Sequence, residues 1–100
     1  MVKNGMRAIH PGEIIREDFL AELHMSANAL AQALRVPATR INEIVNERRS
    51  ITADTAIRLA RFFSTTPNVW MNLQTTYDLR KAELELGQKV AEEVRPLAVA

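Results

Sequence analysis

Apolar side chains recur along this chain at spacings of three and four residues, and no segment shows the strict alternation of a strand. Such spacings place one apolar face along a helix. The pattern predicts five helices, at about residues 11–23, 26–35, 37–46, 53–64 and 67–86. We therefore expect an all-α fold, a five-helix bundle with an extended C-terminal helix or tail.

Each predicted helix has one set of apolar residues for its buried side. These sets are Ile15, Phe19, Leu20 and Leu23 in the first helix, Ala27, Leu30, Ala31 and Leu34 in the second, Ile41, Ile44 and Val45 in the third, Ala56, Leu59, Ala60 and Phe63 in the fourth, and Trp70, Leu73 and Tyr77 in the fifth. Aromatic residues at helical spacing are more often core than ligand pocket, so we assign Trp70 and Tyr77 to the core.

Several residues mark the expected helix ends. The first turn of a helix has free N–H groups, and a hydroxyl side chain can accept from them. Ser26, Thr52 and Thr66 stand where three helices are expected to begin. Gly87 is expected to weaken or end the fifth helix, and Pro96 interrupts the helical spacing beyond it.

Composition limits the class of protein. The chain has 100 residues, 47% of them apolar and 25% charged, which suits one small globular domain. It has no cysteine, which excludes a disulfide scaffold and a thiolate zinc site. No apolar run approaches the roughly 20 residues that span a membrane, and the first residues lack the apolar stretch of a signal peptide. We expect a cytoplasmic protein with no membrane partner.

The formal net charge is only +1, which gives no whole-protein argument for nucleic-acid binding. The charge is distributed unevenly, however. Residues 35–61 contain six arginines against three acidic residues, a local net charge of +3, whereas residues 65–100 have a net charge of −1. This basic centre fits a DNA-facing surface, and an ordinary solvated helix surface explains it equally well.

The second and third predicted helices are short and are joined by a minimal turn, which is the helix-turn-helix arrangement. Small residues such as Ala27 and Ala31 allow the third helix to cross the second closely. Polar residues then remain on the outer side of the third helix, with donors and acceptors for base edges in a major groove. A plain helical hairpin whose outer face meets water is the alternative.

The residues of this region resemble a known family. Residues 30–44, LAQALRVPATRINEI, are similar to the helix-turn-helix of Cro/C1-type (XRE) proteins, which have a lambda repressor-like DNA-binding fold. Three further runs resemble the HigA/VapI-type antitoxins of that family: HPGEIIREDF at 10–19, NERRSIT at 46–52 and TPNVWMNLQTTYDL at 66–79. The match covers roughly residues 8–80 in the family's order.

The resemblance implies an antitoxin of a type II toxin–antitoxin system. Such proteins neutralise a HigB-type toxin, which cleaves mRNA on the ribosome, and they bind operator DNA as homodimers to repress their own operon. Together with the helix pattern, this divides the chain into an N-terminal arm (1–10), a helix-turn-helix DNA-binding domain (11–86) and a C-terminal extension (87–100).

Mapped onto that motif, Thr39, Arg40 and Glu43 are the best candidates for contact with base edges. Arginine forms a bidentate pair with guanine, and glutamate accepts from the amino group of cytosine. Asn42 and Asn46 are supporting candidates. An ion pair between Arg40 and Glu43, one turn apart, is the structural alternative. The candidates for phosphate contact are Ser26, Asn28, Arg48 and Arg49, at the start of the second helix and just after the third.

One position departs from the family's pattern. The family usually has glycine directly after the recognition helix, where this chain has Glu47. We expect Asn46 to take the left-handed conformation that ends the helix there. Glu47 also places a negative charge near the expected DNA surface.

A further stripe of apolar residues lies near the C-terminal end, and it is more than one small bundle needs for its core. Its members are Leu79, Leu86, Val90, Val94 and Leu97. The stripe fits packing on a second protomer, binding of a toxin, or a frayed tail, and the sequence does not decide among them.

No constellation of catalytic or metal-ligating residues stands out. His10 and His24 are the only histidines, each beside an expected helix end and without a ligand companion four residues on. The three glycines are isolated, so there is no phosphate-cradling loop. We expect neither enzyme activity nor a cofactor or metal. A standalone helix-turn-helix repressor and a toxin-binding module that does not bind DNA remain as alternatives.

Overall fold

The five predicted helices are present. A computed structural model describes residues 7–98, which contain α1 (residues 11–23), α2 (Ala27–Leu34), α3 (Ala38–Val45), α4 (Ala53–Phe63) and α5 (Pro67–Glu93), and no strand. The prediction of an all-α fold is confirmed. The bounds of α1 to α4 agree with the prediction to within one residue, because spacing and capping are local signals.

The hydrophobic core lies between the pair α2–α3 and the other three helices. Its fully buried side chains include Ile15 of α1, Leu30 of α2, Ile41 and Ile44 of α3, Leu59 of α4 and Trp70 of α5. α2 packs against α3, α4 against α5, and α1 against both α3 and α5. The inward faces predicted for α2, α3 and α4 are buried or half-buried as expected.

The middle of α1 is a π-helix. Its three parts are α-helical Pro11–Ile14, π-helical Ile15–Leu20 and α-helical Ala21–Leu23. In a π-helix each N–H bonds to the carbonyl five residues back, as Ala21 bonds to Arg16. The residue one turn after Ile15 is therefore Leu20, and both are buried. The prediction that Leu23 is buried with them is wrong: it lies in the last turn of α1, where no residue is buried, and is 53% exposed.

α1 begins at a buried histidine. His10 lies at the N-cap position, and its Nδ1 accepts a hydrogen bond from the N–H of Gly12 at 2.8 Å. The imidazole packs edge-on against Tyr77 of α5, with ring centroids 4.8 Å apart. Only the neutral ring has an acceptor nitrogen, so this cap requires unprotonated His10.

Residues 7–10 lead into α1 against the surface of the domain. Arg7 donates to both carboxylate oxygens of Glu13, at 3.1 and 3.0 Å. Ala8 and Ile9 are half-buried. Residues 1–6 of the predicted N-terminal arm lie outside the described residues.

The first turn of α1 lies directly against the last turn of α3. A Cβ atom at Gly12 would be 1.8 Å from the carbonyl oxygen of Ile44, a distance at which atoms overlap. Glycine is therefore needed for α1 to approach α3 this closely. Further along α1, Arg16 donates from Nη1 to the carbonyl oxygen of Val45. These contacts fix the C-terminal end of α3.

Two of the three predicted hydroxyl caps form hydrogen bonds. The Oγ of Ser26 accepts from the N–H of Ala29 at 3.0 Å. The Oγ1 of Thr66 accepts from the N–H of Val69 at 3.4 Å. Thr52 lies at the N-cap position of α4, as predicted, but within the described residues its hydroxyl makes no capping bond.

Each of α1 to α4 is followed closely by a non-glycine residue in the left-handed conformation. These residues are His24, Arg35, Glu47 and Ser64, with φ between 52° and 63°. After α3, Glu47 donates its N–H to Ile44 at 2.9 Å. Arg48 donates its N–H to Glu43 at 2.8 Å, which completes a Schellman motif. The expectation for Asn46 is wrong: its φ is −91°, and Glu47 adopts the glycine conformation itself.

α5 is one continuous helix of 27 residues. It passes through Gly87, so the expectation that the helix ends near residue 86 is wrong. One glycine costs a helix only about 1 kcal/mol relative to alanine, and the residues around it are mostly good helix formers. The helix ends three residues before Pro96, whose ring disfavours helical backbone at the residue before it. The predicted boundary between residues 86 and 87 lies within α5.

Burial lowers the pKa of His10 below its ordinary value of 6.5, because the charged ring loses its hydration. The carboxylates of Glu47 and Asp78 act in the opposite direction, and Arg16 adds a smaller lowering effect. The folded-state pKa is thus below the unfolded one. The contribution of His10 to stability is complete above the unfolded pKa and is lost as the pH falls through the folded pKa.

We expect the melting temperature of the protein to fall as the pH is lowered from about 7 to about 5. The variant His10→Asn keeps an acceptor at the N-cap and cannot titrate, so its melting temperature should depend less on pH in this range. Circular dichroism melts at several pH values measure both slopes. His24→Asn, which changes the exposed histidine after α1, is the matched control and should keep the wild-type slope. Equal slopes for wild type and His10→Asn would contradict the assignment of this pH dependence to His10.

Candidate nucleic-acid interface

α2 and α3 form the predicted helix-turn-helix. The turn between them begins at Arg35, whose φ is 61°. The N–H of Val36 bonds to the carbonyl oxygen of Ala31 at 3.0 Å, which closes the end of α2. Pro37 follows with extended backbone as the N-cap residue of α3. The small side chain of Ala31 is buried and leaves room for α3 to pack closely on α2.

The outer face of α3 carries three of the five candidates for base contact. Thr39, Glu43 and Asn46 lie on the side opposite to the buried isoleucines of this helix. Thr39 and Asn46 are exposed. Glu43 is half-buried, and its carboxylate pairs with Nη2 of Arg49 at 2.8 Å.

Asn42 lies on one flank of this face and is bonded to α2. Its Nδ2 donates to Oδ1 of Asn28 at 2.8 Å and to the carbonyl oxygen of Ala38 at 2.9 Å. A candidate for base contact and a candidate for phosphate contact are therefore joined directly. This bond links the exposed start of α2 to α3.

Arg40 lies on the other flank and reaches α4. Its Nη1 bonds to Oδ2 of Asp54, and a longer bond of 3.4 Å joins Nη1 to Oγ1 of Thr55. The alternative ion pair with Glu43 is not formed, because Glu43 pairs with Arg49. The guanidinium is thus held beside the outer face of α3 by the first turn of α4.

Two residues at this site were not predicted from the sequence, Asp54 and Arg58. The Nε of Arg58 donates to both carboxylate oxygens of Asp54, at 3.2 and 3.1 Å. Its Nη1 donates to the carbonyl oxygen of Leu34 at the end of α2, at 2.8 Å. Hydrogen bonds to Arg40 and Arg58 hold the pKa of Asp54 below its ordinary value, so its carboxylate is charged. The four-residue spacing of Asp54 and Arg58 predicts an ion pair between them on one face of α4. The sequence does not indicate their contacts with α2 and α3.

Three arginines converge on one shallow cleft at the start of α4. The cleft is lined by Arg40, Arg49, Ser50, Thr52, Asp54, Thr55 and Arg58. Only one carboxylate lies among these residues, so the cleft is basic. It lies beside the flank of α3 from which Arg40 extends.

The four candidates for phosphate contact are all exposed. Ser26 and Asn28 lie at the start of α2, and Arg48 and Arg49 follow α3. Within the described residues Arg48 has no ion pair, whereas Arg49 pairs with Glu43.

Arg16 also lies near this surface and was not predicted. Its Nη2 is 3.3 Å from Oε2 of Glu47, in addition to its bond with the carbonyl of Val45. Its Nε also pairs with Glu17 at 3.1 Å, so this one cation of α1 is shared between two carboxylates.

The apolar stripe of the C-terminal region is exposed. Leu79, Leu86, Val90 and Val94 are between 48% and 62% exposed, and Leu97 beyond α5 is 88% exposed. By contrast Trp70 is buried, as predicted, and its Nε1 donates to Oγ1 of Thr65 at 2.8 Å. From residue 7 to residue 98, no helix is both long enough and apolar enough to cross a membrane.

Comparisons with known proteins agree with this geometry. A helix-turn-helix family model matches residues 15–70, which is more than half of the chain. The virulence-associated protein I of Dichelobacter nodosus is 59% identical over 81 residues, which are 81% of this chain and 75% of that protein. Antitoxin HigA-1 of Vibrio cholerae is 32% identical over 100 residues, which are 100% of this chain and 93% of that protein.

A solved structure of an antitoxin shows the same fold, at higher identity than the Vibrio cholerae protein. It contains the Pseudomonas aeruginosa antitoxin HigA with the higBA promoter, and its TM-score against this chain is 0.89. The two sequences are 50% identical over an alignment that covers 92% of this chain and 100% of the other. The resemblance found in the sequence is confirmed: the chain belongs to the helix-turn-helix family of DNA-binding transcriptional regulators and, within it, to the HigA antitoxins.

Proposed function

We propose that this chain is an antitoxin that binds operator DNA as a homodimer, represses its own operon and neutralises a HigB-type mRNA-cleaving toxin. The observation that supports this best is the outer face of α3, where polar side chains lie between an exposed helix start and a cluster of arginines. The related Pseudomonas aeruginosa antitoxin was solved with promoter DNA. Operator DNA and a toxin that cleaves mRNA on the ribosome both lie in the cytoplasm, where we place the protein.

In this proposal α3 enters the major groove and its outer face contacts base edges. Thr39 and Asn46 are exposed there and have both donors and acceptors, while Glu43 accepts from the amino group of cytosine. Arg40 contacts guanine from one flank, and Asn42 supports the contact from the other.

Phosphates then lie against the two ends of the helix-turn-helix. The start of α2, with Ser26 and Asn28, offers free N–H groups and the positive end of a helix dipole. Arg48 and Arg49 lie after α3 and add two guanidinium groups, which bind phosphate well and make binding dependent on salt. The proposed surface thus separates residues that read bases from residues that position the protein.

The distribution of charge and the surface of α5 both support a homodimer. One basic centre with a net charge of +3 binds DNA weakly, whereas two such centres placed about one helical turn apart, or about 34 Å, contact two half-sites. The exposed stripe on α5 gives each copy an apolar face of the kind that packs on another protein. We propose that this stripe covers the same stripe of a second copy.

We expect a duplex from the region upstream of the protein's own gene to bind steeply less well as salt is added. The double variant Arg40→Ala plus Arg49→Ala should weaken this binding by about tenfold or more, and should lower the salt slope by about one because Arg49 no longer binds a phosphate. Gel shifts at several salt concentrations measure both. The control, Lys89→Ala plus Arg95→Ala, removes two exposed cations outside residues 35–61 and should bind as the wild type does. An unchanged affinity in the first variant means that the assigned face is wrong.

Leu86→Glu is expected to convert the dimer into a monomer, because it places a charge in the centre of the apolar stripe. Its affinity for the same duplex should fall accordingly. Analytical ultracentrifugation gives the oligomeric state. Gln88→Glu, two residues along on another face of α5, adds the same charge and should remain dimeric. A Leu86→Glu protein that sediments as a dimer would place the interface elsewhere.

Co-expression tests the antitoxin activity. The product of a short reading frame adjoining the protein's own gene should arrest growth when expressed alone, and should co-purify with this chain without arrest when both are expressed. If no such frame adjoins the gene and no small protein co-purifies, the protein is a standalone repressor. If the toxin is bound but the upstream duplex is not, it is a toxin-binding module.

A further inference from the structure

The Asp54 carboxylate connects α4 to the proposed base-reading residue of α3. It bonds to Nη1 of Arg40 and, through both of its oxygens, to Nε of Arg58. Arg58 is itself anchored to the carbonyl oxygen of Leu34 at 2.8 Å. These bonds connect the end of α2, through Arg58 and Asp54 of α4, to Arg40 on the flank of α3. Arg58 thus holds Asp54, and Asp54 holds Arg40.

This arrangement leaves part of the Arg40 guanidinium available. The group has five N–H donors, and Asp54 uses Nη1. Nη1 also bonds to Oγ1 of Thr55 at 3.4 Å, whereas Nε and Nη2 make no hydrogen bond within the described residues. These two nitrogens lie on one edge of the guanidinium, and a bidentate pair with guanine requires two donors on one edge. A flexible arginine would lose rotamer freedom to reach such a pair, whereas one already held by a carboxylate loses less.

The charge of Asp54 points to a role in selection and not in affinity. A carboxylate beside a DNA surface repels phosphates, so for sequence-independent binding this residue is unfavourable. Its side chain is about half exposed and is not needed to fill the core. A negative charge in the first turn of α4 also favours the start of that helix, and here the same carboxylate bonds to the side chain that we propose contacts a base.

We propose that Asp54 is a positioning residue for DNA recognition, which holds Arg40 so that the protein discriminates its operator from other sequences. This rests on the proposed function, and specifically on the contact of Arg40 with a base edge. Asp54 itself touches no base. It acts through the orientation of the guanidinium, with Arg58 as the support that keeps the carboxylate in place.

The test compares Asp54→Asn with wild type on two duplexes. One duplex is the segment upstream of the protein's own gene that footprinting with wild type defines, and the other is a shuffled sequence of the same length and composition. The ratio of the two affinities should fall by about tenfold in Asp54→Asn, while binding to the shuffled duplex stays equal or becomes tighter. Because both affinities come from one preparation, any loss of folded protein cancels in the ratio.

A double-mutant cycle with Arg40 separates positioning from a general structural effect. In an Arg40→Ala background, Asp54→Asn should no longer change the ratio, because the group that it positions is absent. Substituted duplexes should also show that both single variants lose selectivity at the same base pair. Asp18→Asn removes a negative charge from an exposed site on α1 and should leave the ratio unchanged.

Other outcomes overturn the proposal. If Asp54→Asn tightens binding to both duplexes equally, the carboxylate merely competes with DNA for Arg40. If it weakens both equally, or acts as strongly in the Arg40→Ala background, its role is structural. Failure of the proposed function is a different result: wild type itself would then show no preference for any upstream segment.

Discussion

The rest of the structure depends on the backbone contact between Gly12 of α1 and the carbonyl oxygen of Ile44 in α3. Because Gly12 has no Cβ, the first turn of α1 can lie against the last turn of α3. This brings Arg16 to the carbonyl of Val45, so the end of α3 is held by main-chain and side-chain contacts together. The contacts with α1 lie on the side of α3 opposite to its outer face, and they fix the direction in which that face points. Residues on that outer face are free to differ in sequence without turning the helix.

The acidic residues around the outer face of α3 are each paired with arginine. Glu43 pairs with Arg49, Glu47 with Arg16, and Asp54 with two guanidinium groups. Exposed ion pairs of this kind contribute little to stability, so a phosphate can replace a carboxylate at little cost. The net charge of +1 thus understates the cations that this surface can offer, since several of them are held in pairs that DNA can exchange. Discrimination between DNA sequences then depends on which of these ion pairs persist when the protein is bound to DNA.

Local features of the fold were predictable from the sequence, and features that depend on contact between distant segments were not. The cap at Ser26 and the buried face of α3 follow from residues a few positions apart. Leu23 was misassigned because burial in the last turn of α1 depends on whether another helix covers that turn, which the spacing of apolar residues does not reveal. In the proposed site, the outward residues of α3 were predictable from helix geometry alone. The bond between Arg40 and Asp54 was not, because it joins residues 14 positions apart on two helices.

The left-handed residues after α1 to α4 have a consequence for the lifetime of the protein in a cell. Each holds a non-glycine residue in a backbone region that costs roughly 1–2 kcal/mol. Together these costs are comparable with the whole stability of a small domain, about 5–15 kcal/mol. When opening and closing are fast, degradation by proteases follows the fraction of molecules that are unfolded. That fraction rises about tenfold for each 1.4 kcal/mol by which the free energy of unfolding is lowered. The backbone angles of four turns therefore help to set how quickly this protein is degraded.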